Sequence, residues 1–519
     1  MMQTKNSGIA CIRTLHCFLK FKNLQILVIF LYPFLPLNFI YPIFVQKEDG
    51  IMSIKNRTLH IWLGPILFAV CYFALQGIFS VKAAKAIGIA LWMIYWWVSR
   101  PVNITVTAFV PIVANALFDI IPMKTIIAQY FSESIILILG SGFLTVPWSG
   151  IGLDKRISLK ALSLIGPSMK SQITVWLLSS IILSNLMPNV VVCALMTPIA
   201  VGMLKAAGYD GKSEAAIPIL CAIGWGVGIG GVGTPLGGAM NITAIALLQD
   251  FTGKEFMYID WMTHLTPYTL LVSLACLAAM LLRPGKIKQL EGTKEYFKKA
   301  YEELGPMKGD EKICLAMFLV GLAAVFFRPL YAHILPRMVP AYVFLILGFV
   351  CFFITSKDSA RPLMTWEDAQ KESMWGMMIL FAGGLAMGVL LSGSGANEEL
   401  AQIVAATNLQ PGLPLIIAIT VLACLVLETT NSTVSAAVTV PIVMSVTAKM
   451  HLDLMTYWYI AVMAFNSEFL LPVSVRSIPV AYGLSPDTML RKALPVFLVR
   501  ALVVIVCSYV VLQIPGFGK

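Results

Sequence analysis

The sequence predicts an all-α polytopic membrane protein with two repeats of inverted topology, each carrying a re-entrant hairpin and broken helices. Three observations predict it. Its 519 residues are 58% hydrophobic and only 12% charged, with mean hydropathy +0.84, whereas soluble chains are about 25% charged. Apolar stretches of roughly 20 residues, enough to cross a bilayer, recur along the chain. Finally, one interruption occurs twice: PNVVVCALMTPI (188–199) and NSTVSAAVTVPI (431–442) each place Pro-Ile ten positions after a small or polar start, 243 residues apart.

Residues 1–51 are expected to be an N-terminal extension, not part of the mature fold. Their apolar stretch at 24–45 contains Pro33, Pro36 and Pro42 after a basic start, and Met52 opens an ordinary lead into a first span. The alternative is a signal peptide, although no small-x-small cleavage site follows. The first half, 52–283, has spans near 60–79, 85–99, 103–121, 171–205 (broken near Pro188), 214–250 (broken from Gly230 to Pro235) and 264–283. Segment 284–312 interleaves Lys with Glu and reads as an amphipathic cytoplasmic linker, placed inside by its lysines. The second half, 313–519, has spans near 313–330, 339–355, 413–449 (broken near Asn431), 456–482 (broken near Pro472) and 494–514.

Two further segments, 132–152 and 375–395, have glycine-rich centres and end in Ser-Gly-x-Gly at positions again 243 apart. Glycine turns tightly at no steric cost, so each reads as a re-entrant hairpin with its tip at membrane depth. Packing through small residues is the alternative.

Charge and cysteine usage exclude other classes. The net charge of +11 fits Lys and Arg kept in cytoplasmic loops, not nucleic-acid binding. Ten cysteines lie mostly in apolar runs without Cys-x-x-Cys, and five histidines form no ligand cluster. No P-loop is present, so no nucleotide cofactor is implied. Intramembrane catalysis would need convergent acid–base or metal groups, and Glu428 and Glu468 have no His or Cys partner, so the chain does not read as an enzyme.

A polar break in lipid is tolerated only where it lines a protected cavity, and paired breaks in two halves point to a carrier's central site. Half-helices starting near Val190 and Thr433 aim positive dipole ends and free N–H groups at a small anion. Asn189, Ser432 and Thr433 add neutral donors that bind without trapping.

The runs IALWMIYWWVSRPVNITVTAFVPIV, FSESIILILGSGFL, WGMMILFAGGLAMG and GIGGVGTPLGGAMN (228–241) occur together with the paired breaks. On these, over about residues 55–515, the chain resembles the divalent-anion:sodium symporter family, carriers of dicarboxylates, citrate or sulfate. It implies sodium-coupled symport by alternating access in the cell membrane, and a homodimer. The family's Ser-Asn-Thr triplets fall at Pro188-Asn189-Val190 and Asn431-Ser432-Thr433. Its Thr-Pro-Pro-Asn loops become Gly238-Ala239-Met240-Asn241 and Val475-Arg476-Ser477-Ile478. Asn189, Val190, Asn241, Asn431, Ser432, Thr433 and Arg476 are therefore the expected substrate contacts. Sodium ligands implied by the resemblance are Gly140, Ser141, Gly142, Asn189, Gly230 and Gly233, with Ala382, Gly383, Gly384, Asn431 and Ser432 in the second half.

The departures leave alternatives open. Arg476 can replace a coupling cation, pair with Glu428 or Glu468, or snorkel to the interface. The first case suits a sodium-independent exchanger, or proton coupling through Glu133 or Glu468. Arg100, where the family has an acidic residue, reads as an interfacial anchor.

Overall fold

A computed structural model describes residues 54–163, 165–406, 410–471 and 474–517. Residues 1–51, expected to be an extension, lie outside the described residues. Residues 54–62 belong to an N-terminal unit, and everything below concerns the unit Leu63–Lys519.

Helices make up the fold, with no strand among the described residues. They are α1 (Ile54–Leu75), α2 (Val81–Ser99), α3 (Ile104–Thr107), α4 (Val110–Phe118), α5 (Met123–Ala128), α6 (Glu133–Ile151), α7 (Leu153–Leu162), α8 (Met169–Leu186), α9 (Asn189–Ala206), α10 (Ala216–Gly230), α11 (Ala239–Thr252) and α12 (Tyr258–Leu281). Within 284–312 lies α13 (Thr293–Glu302). There follow α14 (Gly309–Phe326), α15 (Arg328–Tyr331), α16 (Pro340–Val350), α17 (Trp366–Glu372), α18 (Trp375–Gly393), α19 (Ala396–Ala406), α20 (Leu413–Thr429), α21 (Ser432–Lys449), α22 (Leu454–Phe465), α23 (Ser477–Ala481) and α24 (Pro486–Leu512). Eight of these helical stretches are long and apolar enough to cross a membrane.

The repeat is visible element by element: α6 to α12 in the first half run in the same order as α18 to α24 in the second. In each half a long helix and a short one precede a helix pair. A helix then unwinds into a 3-10 turn (Pro235–Gly237; Ser474–Arg476) before a last span.

The hairpins stand elsewhere than expected. Segments 132–152 and 375–395 hold the unbroken helices α6 and α18, each 19 residues long. The turns fall instead at the two breaks. Helix α21 doubles back on α20, where the Ser435 hydroxyl donates to the Ala423 carbonyl at 2.7 Å. Helices α8 and α9 likewise both pack along α10. The physical reason lies in the residues themselves: Pro188 lacks the N–H a continuous helix needs, and Asn431 turns its side chain onto Val434 N–H as an N-cap.

The paired glycines are packing contacts. A Cβ on Gly140 would lie 2.4 Å from the Leu345 nitrogen in α16, and one on Gly383 2.6 Å from Ala108 beside α3. Each glycine lets a long helix of one half cross a short helix of the other. The same exchange recurs deeper, with α21 against α11 and α9 against α23. The second-half unwinding begins at Asn466, earlier than expected, and Pro472 lies outside the described residues.

Candidate functional site

The two hairpin turns face one cavity of about 180 Å³. Pro188, Asn189 and Val190 line it from the first half, Thr430, Asn431, Ser432 and Thr433 from the second. This volume is below the roughly 300 Å³ at which pockets for drug-sized ligands begin, so it suits a small solute.

The donors in this cavity follow from helix geometry. The first N–H groups of a helix have no partner within it. In α9 the N–H groups of Val191 and Val192 bond back to Pro188, leaving Asn189 and Val190 without a partner among the described residues. In α21 the Asn431 cap takes Val434 N–H at 2.9 Å, leaving Thr433 in the same condition, while the Ser432 N–H turns to the Glu468 carboxylate. The side-chain amide of Asn189 and the hydroxyl of Thr433 also have no hydrogen-bond partner among the described residues. Two positive helix ends therefore converge with neutral donors, an arrangement that binds anions.

Behind the second turn sits a buried ionic triad. Arg476 donates to Glu428 and to Glu468, both at 2.7 Å. Glu428, in the last turn of α20, also accepts the N–H groups of Phe469 and Leu470 at 2.9 and 2.8 Å. Glu468 accepts the Ser432 hydroxyl at 3.1 Å and reaches the cavity wall. Arg476, only 1% exposed, thus joins the hairpin to the unwound stretch rather than lining the cavity. Of the three readings of Arg476, it is the pairing one that matches this geometry, with both glutamates at once.

The first half fastens the same two elements without charge. Asn185 stands 243 positions before Glu428, and its carbonyl accepts the Thr234 hydroxyl at 2.7 Å. Its Oδ1 presses on Gly233, where an added Cβ would lie 1.7 Å away. That oxygen has no hydrogen-bond partner among the described residues.

Other expected residues fall outside the cavity. Asn241 is fully buried, and its amide donates to the carbonyls of Gly231 and Thr234 at 2.6 and 2.9 Å, which pins the unwound loop. As a substrate contact it is corrected to a strut. Gly140, Gly142, Gly383 and Gly384 sit inside continuous helices whose carbonyls bond four residues onward, so the hairpin-tip sodium ligation is corrected too. Ser141 does line the cavity, but its hydroxyl donates to the Ile138 carbonyl. Gly230 abuts Ile181, and its carbonyl takes Gly233 N–H at 3.0 Å.

Two functional positions escaped sequence reasoning. Arg500, fully buried in α24, donates to the carbonyls of Met463 and Ala464 at 2.9 and 2.6 Å and to that of Asn466. It caps the end of α22 where the chain unwinds; an arginine inside an apolar span was the available signal. Arg100, read as an interfacial anchor, lines the cavity instead.

Residues 65–512 match the family described as the sodium:sulfate symporter transmembrane region. The chain is 26% identical to the sodium-dependent dicarboxylate transporter SdcS of Staphylococcus saprophyticus over 90% of its own length and 93% of that protein. Similarity to SdcS of Staphylococcus aureus strain NCTC 8325 is also 26%, over 87% and 90%. Among solved structures, the YdaH transporter of Alcanivorax borkumensis is similar at 12% identity and TM-score 0.48, covering 78% of this chain and 90% of that one.

Proposed function

This chain belongs to the sodium:sulfate symporter family, and on that premise we propose that it is a sodium-coupled symporter whose divalent anion sits between the two hairpin turns. It is a multi-pass transporter of the cell membrane and not an enzyme. The observation that carries the site is the convergence of two helix N-termini, at Asn189–Val190 and Ser432–Thr433, on one small cavity. Neutral donors around a dianion let it bind and leave, as a carrier requires. The names of the SdcS relatives support a dicarboxylate as the cargo.

We place the coupling sodium in the first half, between Asn189, the Asn185 amide oxygen and the unwound stretch after Gly230. In the second half the Arg476 guanidinium already bridges the equivalent pair of elements, so no second sodium is needed there. A homodimer is part of the same proposal and follows from the resemblance alone.

Uptake of a labelled dicarboxylate and of sulfate into proteoliposomes, with a sodium or a choline gradient, tests the reading. Accumulation driven by the sodium concentration gradient is expected, a tenfold gradient supplying about 1.4 kcal/mol per sodium. Asn189→Ala and Ser432→Ala, each still folded, are expected to weaken it at least tenfold. Uptake unchanged by both substitutions would overturn the site. The alternative reading is sodium-independent exchange, with the second-half elements already joined by the Arg476 bridge and not by a sodium. Trans-stimulation by internal anion without sodium would replace symport with it.

A further inference from the structure

Arg100, an exposed residue, is the one arginine or lysine on the cavity wall among the described residues. Arg100 follows the last residue of α2, and its guanidinium has no hydrogen bond or ion pair among the described residues. Among the described residues the only carboxylate on the cavity wall is Glu468, already taken by Arg476 and Ser432. The backbone carries a second sign. Arg100 has φ 49° and ψ 43°, the left-handed conformation at which helices usually end in glycine. A side chain kept on such a backbone is a reason to look for function. A role limited to membrane anchoring leaves unexplained why this residue lines the solute cavity.

We propose that Arg100 binds one end of the anion and makes the site select dianions over monoanions. A guanidinium presents paired N–H donors that match a carboxylate in bidentate fashion. One carboxylate then meets Arg100, while the other meets the donors at Asn189 and Thr433. The inference rests on the cavity being the anion site, and it adds what sets the required charge of the cargo.

The test measures binding of fumarate and of its monomethyl ester to purified protein by thermal stabilisation with sodium present. In Arg100→Gln, fumarate affinity is expected to fall about 10- to 100-fold, as for loss of a charge-assisted contact, while the ester changes little. Sodium affinity and the ligand-free melting point stay at wild-type values. Arg100→His adds an independent arm: its fumarate affinity is expected to fall between about pH 6 and 8, as the imidazole loses its proton, while wild type stays flat. Equal fumarate affinity in wild type and Arg100→Gln, or a flat profile for Arg100→His, overturns the role of Arg100 and leaves the anion site standing. Wild-type protein that binds neither fumarate nor the ester overturns both.

Discussion

Replacing Arg476 by methionine removes the single guanidinium shared by Glu428 and Glu468, whose contacts are both 2.7 Å. The substitution keeps the volume similar but leaves two buried carboxylates facing each other. Glu428 retains the N–H groups of Phe469 and Leu470, while Glu468 retains Ser432 alone, through its hydroxyl and its backbone N–H. Breaking a buried pair by removing one partner costs about 3–5 kcal/mol. At about 2 °C per kcal/mol for large domains, the midpoint should fall by about 6–10 °C. Because Glu468 is the worse compensated acid, Glu468→Gln in the same chain should recover about 1–3 kcal/mol. The assay is thermal unfolding of detergent-purified protein, read by size-exclusion fluorescence, for the wild type, both single variants and the double variant. An Arg476→Met protein as stable as wild type, or a double variant no better than Arg476→Met, would refute the idea that the triad clamps the hairpin to the unwound stretch.

Arg500→Met should destabilise by about 2–4 kcal/mol, since the carbonyls of Met463, Ala464 and Asn466 lose a charged donor; Arg500→Lys should recover only part, since one ammonium can replace Nη2 at the carbonyls but not also Nη1 at Cys424 Sγ, and thermal unfolding distinguishes the three proteins. Gly140→Ala places a Cβ 2.4 Å from the Leu345 backbone and should cost about 1–3 kcal/mol. Gly142→Ala, with no other atom within 4 Å of its Cβ, should be neutral or stabilising by up to about 1 kcal/mol. Equal effects at the two glycines would sink the packing account and return sodium ligation at Gly140 to consideration.

Composition and hydropathy determined an all-helical, many-spanning protein, because lipid leaves the backbone few other ways to satisfy its polar groups, and the interruption repeated 243 residues apart marked two halves. The interruptions at Pro188 and Asn431 were legible for a local reason: a proline and an N-capping asparagine end helices whatever surrounds them. The residues flanking those stops, Asn189, Val190, Ser432 and Thr433, could therefore be picked out, and they do line one cavity. What a glycine or an arginine does is not local. Gly140 is the same letter whether it turns a hairpin or admits a neighbouring helix, and only the approach of Leu345 decides between them. Arg476 and Arg100 are likewise the same letter. One meets two glutamates brought beside it by a hairpin and an unwound stretch of chain, and the other pairs with none among the described residues. The role of a charge in a low-dielectric interior depends on which opposite charges share its space, and that is decided only by long-range packing.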